Sequence, residues 1–110
     1  MAIHERIKAL RKSLGLTQIE FGRKIGIVQG HLTGIESGDK KITETTLKVT
    51  CAVYGASEEW LRTGKGEMFT NNQGGKIYKV LDYYNQLLPQ YQNFVLEQIE
   101  ELFETQKKQD

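Results

Sequence analysis

Residues 14–38, LGLTQIEFGRKIGIVQGHLTGIESG, set the architecture of this chain. Thr17 is followed three positions later by Glu20. A hydroxyl at a helix start accepts a hydrogen bond from a free backbone N–H, and a carboxylate at the third position reaches back to the chain before it. This capping box opens a helix whose expected buried residues are Ile19, Phe21 and Ile25, and which ends at Gly26. A second helix, about residues 28–37, buries Leu32 and Ile35. The two are separated by about three residues, the spacing of a helix-turn-helix. Gln29, Gly30, His31, Thr33 and Gly34 fall on positions of the second helix not needed for burial. Gln18 stands in the first turn of the preceding helix, where its amide and the free backbone N–H groups can meet a phosphate oxygen.

Within this motif and beyond it, Gly15, Gly26, Gly38, Gly55 and Gly64 each follow a short segment with apolar residues at helical spacing. Glycine favours the left-handed turn that closes a helix, so five short helices are expected. The first, about residues 3–14, puts Ile3, Ile7, Leu10 and Leu14 on one stripe. The fourth opens at Thr43 and carries Leu47, Val49, Cys51 and Val53 or Tyr54; the fifth opens at Ser57, with Glu58 and Glu59 in its first turn and Trp60 beside Leu61 as a core anchor. TNNQGG, residues 70–75, lacks an apolar side chain and reads as a linker. Beyond it Ile77, Val80, Leu81, Tyr84 and Leu88 recur at steps of three and four until Pro89 interrupts, and Tyr91, Phe94, Val95, Ile99, Leu102 and Phe103 resume the pattern. The expected architecture is all-α: a five-helix domain over residues 1–69, a spacer at 70–75, and a helical hairpin over 76–110 that turns at Pro89.

Composition narrows the functions. The 110 residues are 38% hydrophobic and 26% charged, and hold one cysteine, Cys51, so neither an internal disulfide nor a thiolate metal cluster can form. No apolar run approaches the roughly 20 residues of a membrane span, and MAIHERIKAL carries charges where a signal peptide needs an apolar stretch. The expectation is a cytoplasmic chain with no membrane partner. His4 and His31 lie far apart with no carboxylates grouped near them, and Glu58 with Glu59 and Glu100 with Glu101 are adjacent pairs that point to different helix faces. No catalytic set, metal site or cofactor is expected. Through Lys41 there are eight basic and four acidic residues, whereas from Thr70 onward four lysines face six acids. A basic working end and an acidic module are the corresponding reading.

The series RIKALRKSLGLTQ, the IG turn, the IESG ending and YGASEEWLRTG together resemble the helix-turn-helix domain of the phage repressor and Cro type, the XRE family, over residues 6–69. The resemblance implies a lambda-repressor-like domain that binds a double-stranded DNA operator. It implies a phosphate clamp at Gln18, an adenine-pairing glutamine at Gln29 on the reading helix, and a backbone-facing loop containing Lys40 and Lys41. It also implies an ion pair between Arg11 and Glu36. The chain departs from the family at Val28, where the turn normally supplies a serine or threonine cap; this forfeits about 1 kcal/mol. Gly30 and Gly34 cost roughly another 1 kcal/mol each against alanine, and the reading helix holds no Arg or Lys.

A two-helix hairpin cannot bury two apolar faces by itself. Ile77, Leu81, Tyr84, Phe94, Val95, Ile99, Leu102 and Phe103 are therefore expected to join two copies, giving a homodimeric repressor of a phage or mobile-element promoter. The alternative is a protein-interaction module or antitoxin-like adaptor built on the same fold. Folding of the hairpin back onto the first domain is the blander use of the same face.

Overall fold

Local chemistry sets where the helices begin. In the computed structural model, which describes residues 1–70 and 75–109, the elements are α1 (Ile3–Ser13), α2 (Gln18–Ile25), α3 (Gln29–Ser37), α4 (Glu44–Tyr54), α5 (Glu58–Thr63), α6 (Lys76–Gln86) and α7 (Pro89–Lys107). Glu5 accepts from the Ala2 N–H at 2.9 Å before α1. That hydrogen bond holds the Glu5 carboxyl below its ordinary pKa. Thr17 and Glu20 exchange both bonds of the capping box, at 3.1 and 3.0 Å. Thr43 and Ser57 cap α4 and α5 in the same way, accepting from Thr46 and Trp60. Four of these helices, α2 to α5, close on glycines with positive φ at Gly26, Gly38, Gly55 and Gly64.

The chain divides into two compact units, Met1–Tyr78 and Lys79–Asp110. The core of the first gathers Ile7 and Leu10 of α1, Phe21 of α2, Leu32 and Ile35 of α3, Leu47 and Tyr54 of α4, and Leu61 of α5, all buried. Phe21 and Tyr54 stack with ring centroids 4.5 Å apart, and the Tyr54 hydroxyl donates to the Phe21 carbonyl at 2.7 Å. One contact thus joins the helix-turn-helix to α4 by both an apolar face and a polar handle. Cys51 is a small buried filler, and burial pushes its thiol pKa up.

One expectation about burial needs correction, at Ile19, and one open alternative, Val53 or Tyr54, is resolved. Ile19 is 50% exposed, because the inward face of α2 is taken by Phe21, Gly22 and Ile25. On α4 it is Tyr54 that turns inward and Val53 that faces out, while the polar Thr50 is buried by donating to the Thr46 carbonyl at 2.7 Å. Arg6, counted in the basic end, is also buried. Its guanidinium donates to the Leu61 and Arg62 carbonyls at 2.8 and 2.9 Å, and to that of Met1. The charge satisfies the C-terminal end of α5, where cations are favoured, and does not face solvent.

After α5 the chain returns along it. Ser57 N–H donates to the Met68 carbonyl and Thr70 N–H to the Gly55 carbonyl, an isolated bridge rather than a strand. The expected spacer at 70–75 falls largely on residues 71–74, which lie outside the described residues. The first unit takes in the opening of α6. Tyr78 sets its ring edge-on to Tyr54 at 5.2 Å, and the Lys24 ammonium lies 5.5 Å from the Tyr78 ring centre.

In the second unit Pro89 occupies the first turn of α7, where its missing N–H has no cost, and Gln92 donates to the Tyr84 carbonyl across the turn. Neither α6 nor α7 contains a buried residue. Among the described residues no helix is long and apolar enough to cross a membrane.

Candidate nucleic-acid interface

The turn between α2 and α3 is closed by hydrogen bonds from Ile27 N–H to the Gly22 carbonyl at 2.9 Å and from Gly26 N–H to the Arg23 carbonyl at 3.4 Å. This is a Schellman closure, which needs a left-handed residue, here Gly26 at φ 79°. It also brings the Ile27 carbonyl so near Gly22 that a β-carbon on Gly22 would lie 2.6 Å from that oxygen. Gly22 is a site residue that the burial pattern alone does not single out. Its signal is a glycine inside a capped helix, where about 1 kcal/mol against alanine calls for a reason. Gly22→Ala is expected to cost about 1 to 3 kcal/mol in urea denaturation, since a backbone oxygen cannot step aside as a side chain can. An unchanged midpoint would mean that the turn opens freely.

A polar network then ties α1, α2 and α3 together. Arg11 grips Glu36 with two hydrogen bonds, Nε to Oε2 at 2.7 Å and Nη2 to Oε1 at 3.0 Å, and donates a third to the Leu16 carbonyl. The Glu36 side chain is 3% exposed and that of Arg11 12%, so the pair is largely withdrawn from water. Hydrogen bonding to Glu36 raises the Arg11 pKa further above its ordinary value. Gln18 Nε2 donates to the same Glu36 oxygen at 3.1 Å. The Thr33 hydroxyl lies 2.9 Å from both Gln18 Oε1 and the Gln29 carbonyl, one proton shared between two acceptors. Gln18 is thereby held at the start of α2 with one amide hydrogen of its two still available.

The remaining candidates divide by environment. Gln29 and Gly30 are exposed on the first turn of α3, and a β-carbon on Gly30 would meet nothing within 4 Å. His31 is half-buried. Gly34 is covered by the stem of Lys40, whose Cδ would lie 2.8 Å from a β-carbon there, while Lys40 N–H donates to the Gly34 carbonyl at 3.0 Å. Gly34 therefore seats Lys40 against α3 instead of facing out freely. Lys41 is exposed beside it. Arg11, Glu36, Gln18, Thr33 and Gln29 form one connected set, joined by side-chain and main-chain bonds; Gly34 and Lys40 form a second. Val28 starts α3 with extended backbone and no side-chain cap, as its residue type requires. Among the described residues no group of three or more His, Cys, Asp or Glu could hold a metal ion.

Comparison with known proteins places this geometry. The family described as helix-turn-helix matches residues 7–61, half of the chain. The chain is 34% identical over 55 residues to the antitoxin PezA of Streptococcus pneumoniae serotype 4 (strain ATCC BAA-334 / TIGR4); the match covers 50% of this chain and 35% of PezA. The chain thus spans about a third of the length of that relative. Among solved structures it is similar to the P22 c2 repressor protein in complex with synthetic operator 9T. There the TM-score is 0.55 at 23% identity, covering 59% of this chain and 98% of that one. The SinR/SinI protein complex aligns over 97% of this chain and 96% of that one, with a TM-score of 0.49 and 20% identity. Capped α2, Schellman turn, α3 and the family match over residues 7–61 lead to one conclusion: the chain belongs to the XRE-type helix-turn-helix family of DNA-binding regulators.

Proposed function

We propose that the protein binds a double-stranded DNA operator as a homodimer and represses transcription by occupying the promoter, with α3 lying in the major groove. The observation that carries this is the network fixing Gln18 to Glu36 and Thr33, which rigidly couples a phosphate-seeking amide at the start of α2 to the exposed first turn of α3. Phosphate contacts set register and base-edge contacts set sequence, and the two kinds of residue are adjacent here. Gln29, Gly30 and His31 form the base-facing surface, Thr33 braces it, and Lys40 and Lys41 neutralise phosphates past the end of α3. The operator is assigned to a phage or mobile-element promoter, and fragments selected from the source genome that map elsewhere would remove that part of the proposal.

Binding assays on such a selected fragment separate the roles. Gln18→Ala should weaken binding to specific and random duplexes by similar factors, whereas Gln29→Ala should cost about 1 to 3 kcal/mol at particular base pairs only. Replacing Lys40 and Lys41 by alanine should reduce the salt dependence by up to about one unit of slope for each phosphate that is no longer neutralised. A Gln29→Ala protein with unchanged preference at every operator position would remove Gln29 from the base-reading residues.

The dimer is proposed on the tail. Ile77, Leu81, Phe94, Ile99, Leu102 and Phe103 are each about half exposed or more, with Leu102 at 68%, and Tyr84 and Val95 are half-buried. Apolar surface of this extent on two successive helices marks an interaction site. A second reading is favoured by the similarity to an antitoxin: the same face would hold a different protein, as an adaptor does. Sedimentation of the pure chain distinguishes them, because a homodimer forms without any partner.

A further inference from the structure

Three helices of the first unit start on a hydroxyl, Thr17, Thr43 and Ser57, each accepting from the backbone three residues on. Val28 holds the same place before α3 with nearly the same backbone, φ −80° and ψ 158° against −74° and 165° at Thr17. A serine would fit that backbone and stabilise the helix, so the valine is not there for the fold's sake. Nor does burial explain it: Val28 is 75% exposed. Ile19, half exposed on α2, is the second apolar side chain that this region leaves in water. Both line one open groove of about 370 Å³ with Ile27, Gly26, Arg23 and Gln29. The groove offers apolar surface, one cation and one amide.

That combination suits one strand of a duplex. In the major groove the thymine C5 methyl is the apolar group a base pair presents, while a phosphate suits Arg23 and a base edge suits Gln29. We propose that Val28, backed by Ile19, reads a thymine methyl next to the base that Gln29 reaches, so that each operator half-site carries a thymine at that position. The inference rests on the operator-binding reading above and names a specificity determinant within it. It also gives a function to the absent cap: helix stability is surrendered for a base contact that serine cannot make.

Deoxyuridine differs from thymidine only by this methyl. With a fragment selected from the source genome, each thymine is replaced in turn by deoxyuridine and binding to the full-length chain is measured. One position per half-site should weaken wild-type binding about fourfold, the value of one buried methyl. Val28→Ser should bind the thymine and deoxyuridine duplexes equally, and should melt at a higher temperature than wild type because the cap is restored. A merely structural role for Val28 would not lose methyl discrimination while gaining stability. Discrimination that survives in Val28→Ser, or a wild-type protein indifferent to every methyl on a fragment it binds tightly, overturns this inference and leaves operator binding intact. Failure to enrich any fragment overturns the operator-binding reading, and this inference with it. Methyl-indifferent DNA binding combined with a protein partner that Val28→Ser no longer holds would assign the groove to that partner instead.

Discussion

Replacing Arg11 by alanine is expected to lower stability by about 3 kcal/mol, a fall in melting temperature of roughly 15 °C for a domain of this size. The cause is what remains: Glu36, with its side chain 3% exposed, would lose both hydrogen bonds from the guanidinium at a place that water reaches only in part. Breaking a buried pair from one side is far more costly than never having had it, because the desolvation of the survivor is no longer offset. The value is set at the lower end of the range because Arg11 is 12% exposed and solvent enters once it is gone. A double replacement, Arg11→Met with Glu36→Leu, should recover most of the stability by exchanging the pair for apolar contacts. It should still weaken DNA binding of every sequence, since Gln18 loses the oxygen to which it donates at 3.1 Å. Thermal denaturation and a binding titration on the same preparations separate the two effects. A destabilisation below 1 kcal/mol for Arg11→Ala would reduce the pair to an ordinary solvated one.

The second large effect is expected in the tail. A chain ending after Tyr78 keeps the whole first unit, including the edge-on contact of Tyr78 with Tyr54. It should fold, sediment as a monomer, and bind the operator about a hundredfold or more weakly, because one reading helix engages one half-site and the gain from linking two sites is forfeited. Leu102→Asp in the full chain should approach the same state, since a charge within an apolar interface finds no partner there. Its site is 68% exposed, so the isolated helix tolerates the change and any weakening comes from association. Sedimentation at micromolar concentration is the direct measurement. A truncated chain that remains dimeric would move the contact into the first unit and leave α7 with a different partner.

How much of this is legible in the sequence varies by residue. Thr17 with Glu20, Thr43 and Ser57 identify helix starts because capping involves only neighbours in the chain. The Gly26 and Gly38 ends follow from the same short-range geometry. Spacing misplaces Ile19, because it marks an apolar stripe without telling which of its edges meets a neighbouring helix. Arg6 reads as surface charge because two of its three acceptors, the Leu61 and Arg62 carbonyls, lie 55 and 56 residues away.

Residues within one or two turns of each other suffice for the five short helices of the first unit, for the helix-turn-helix and its family, and for the departure at Val28, so the sequence alone carries them. Helical spacing also marks most of the buried faces, through Ile7, Leu10, Phe21, Leu32, Ile35 and Leu47, and only packing in three dimensions decides their edges, leaving Ile19 outside and Thr50 inside. The same packing decides the closing of α5 by Arg6, the need for Gly22 to lack a side chain, the seat of Lys40 on Gly34, and the start of α6 on Tyr54 through Tyr78. The physical reason is the same in each case. Capping and turn energies are local and additive along the chain, whereas burial and ion pairing depend on which segments distant in sequence are brought within a few ångströms of one another.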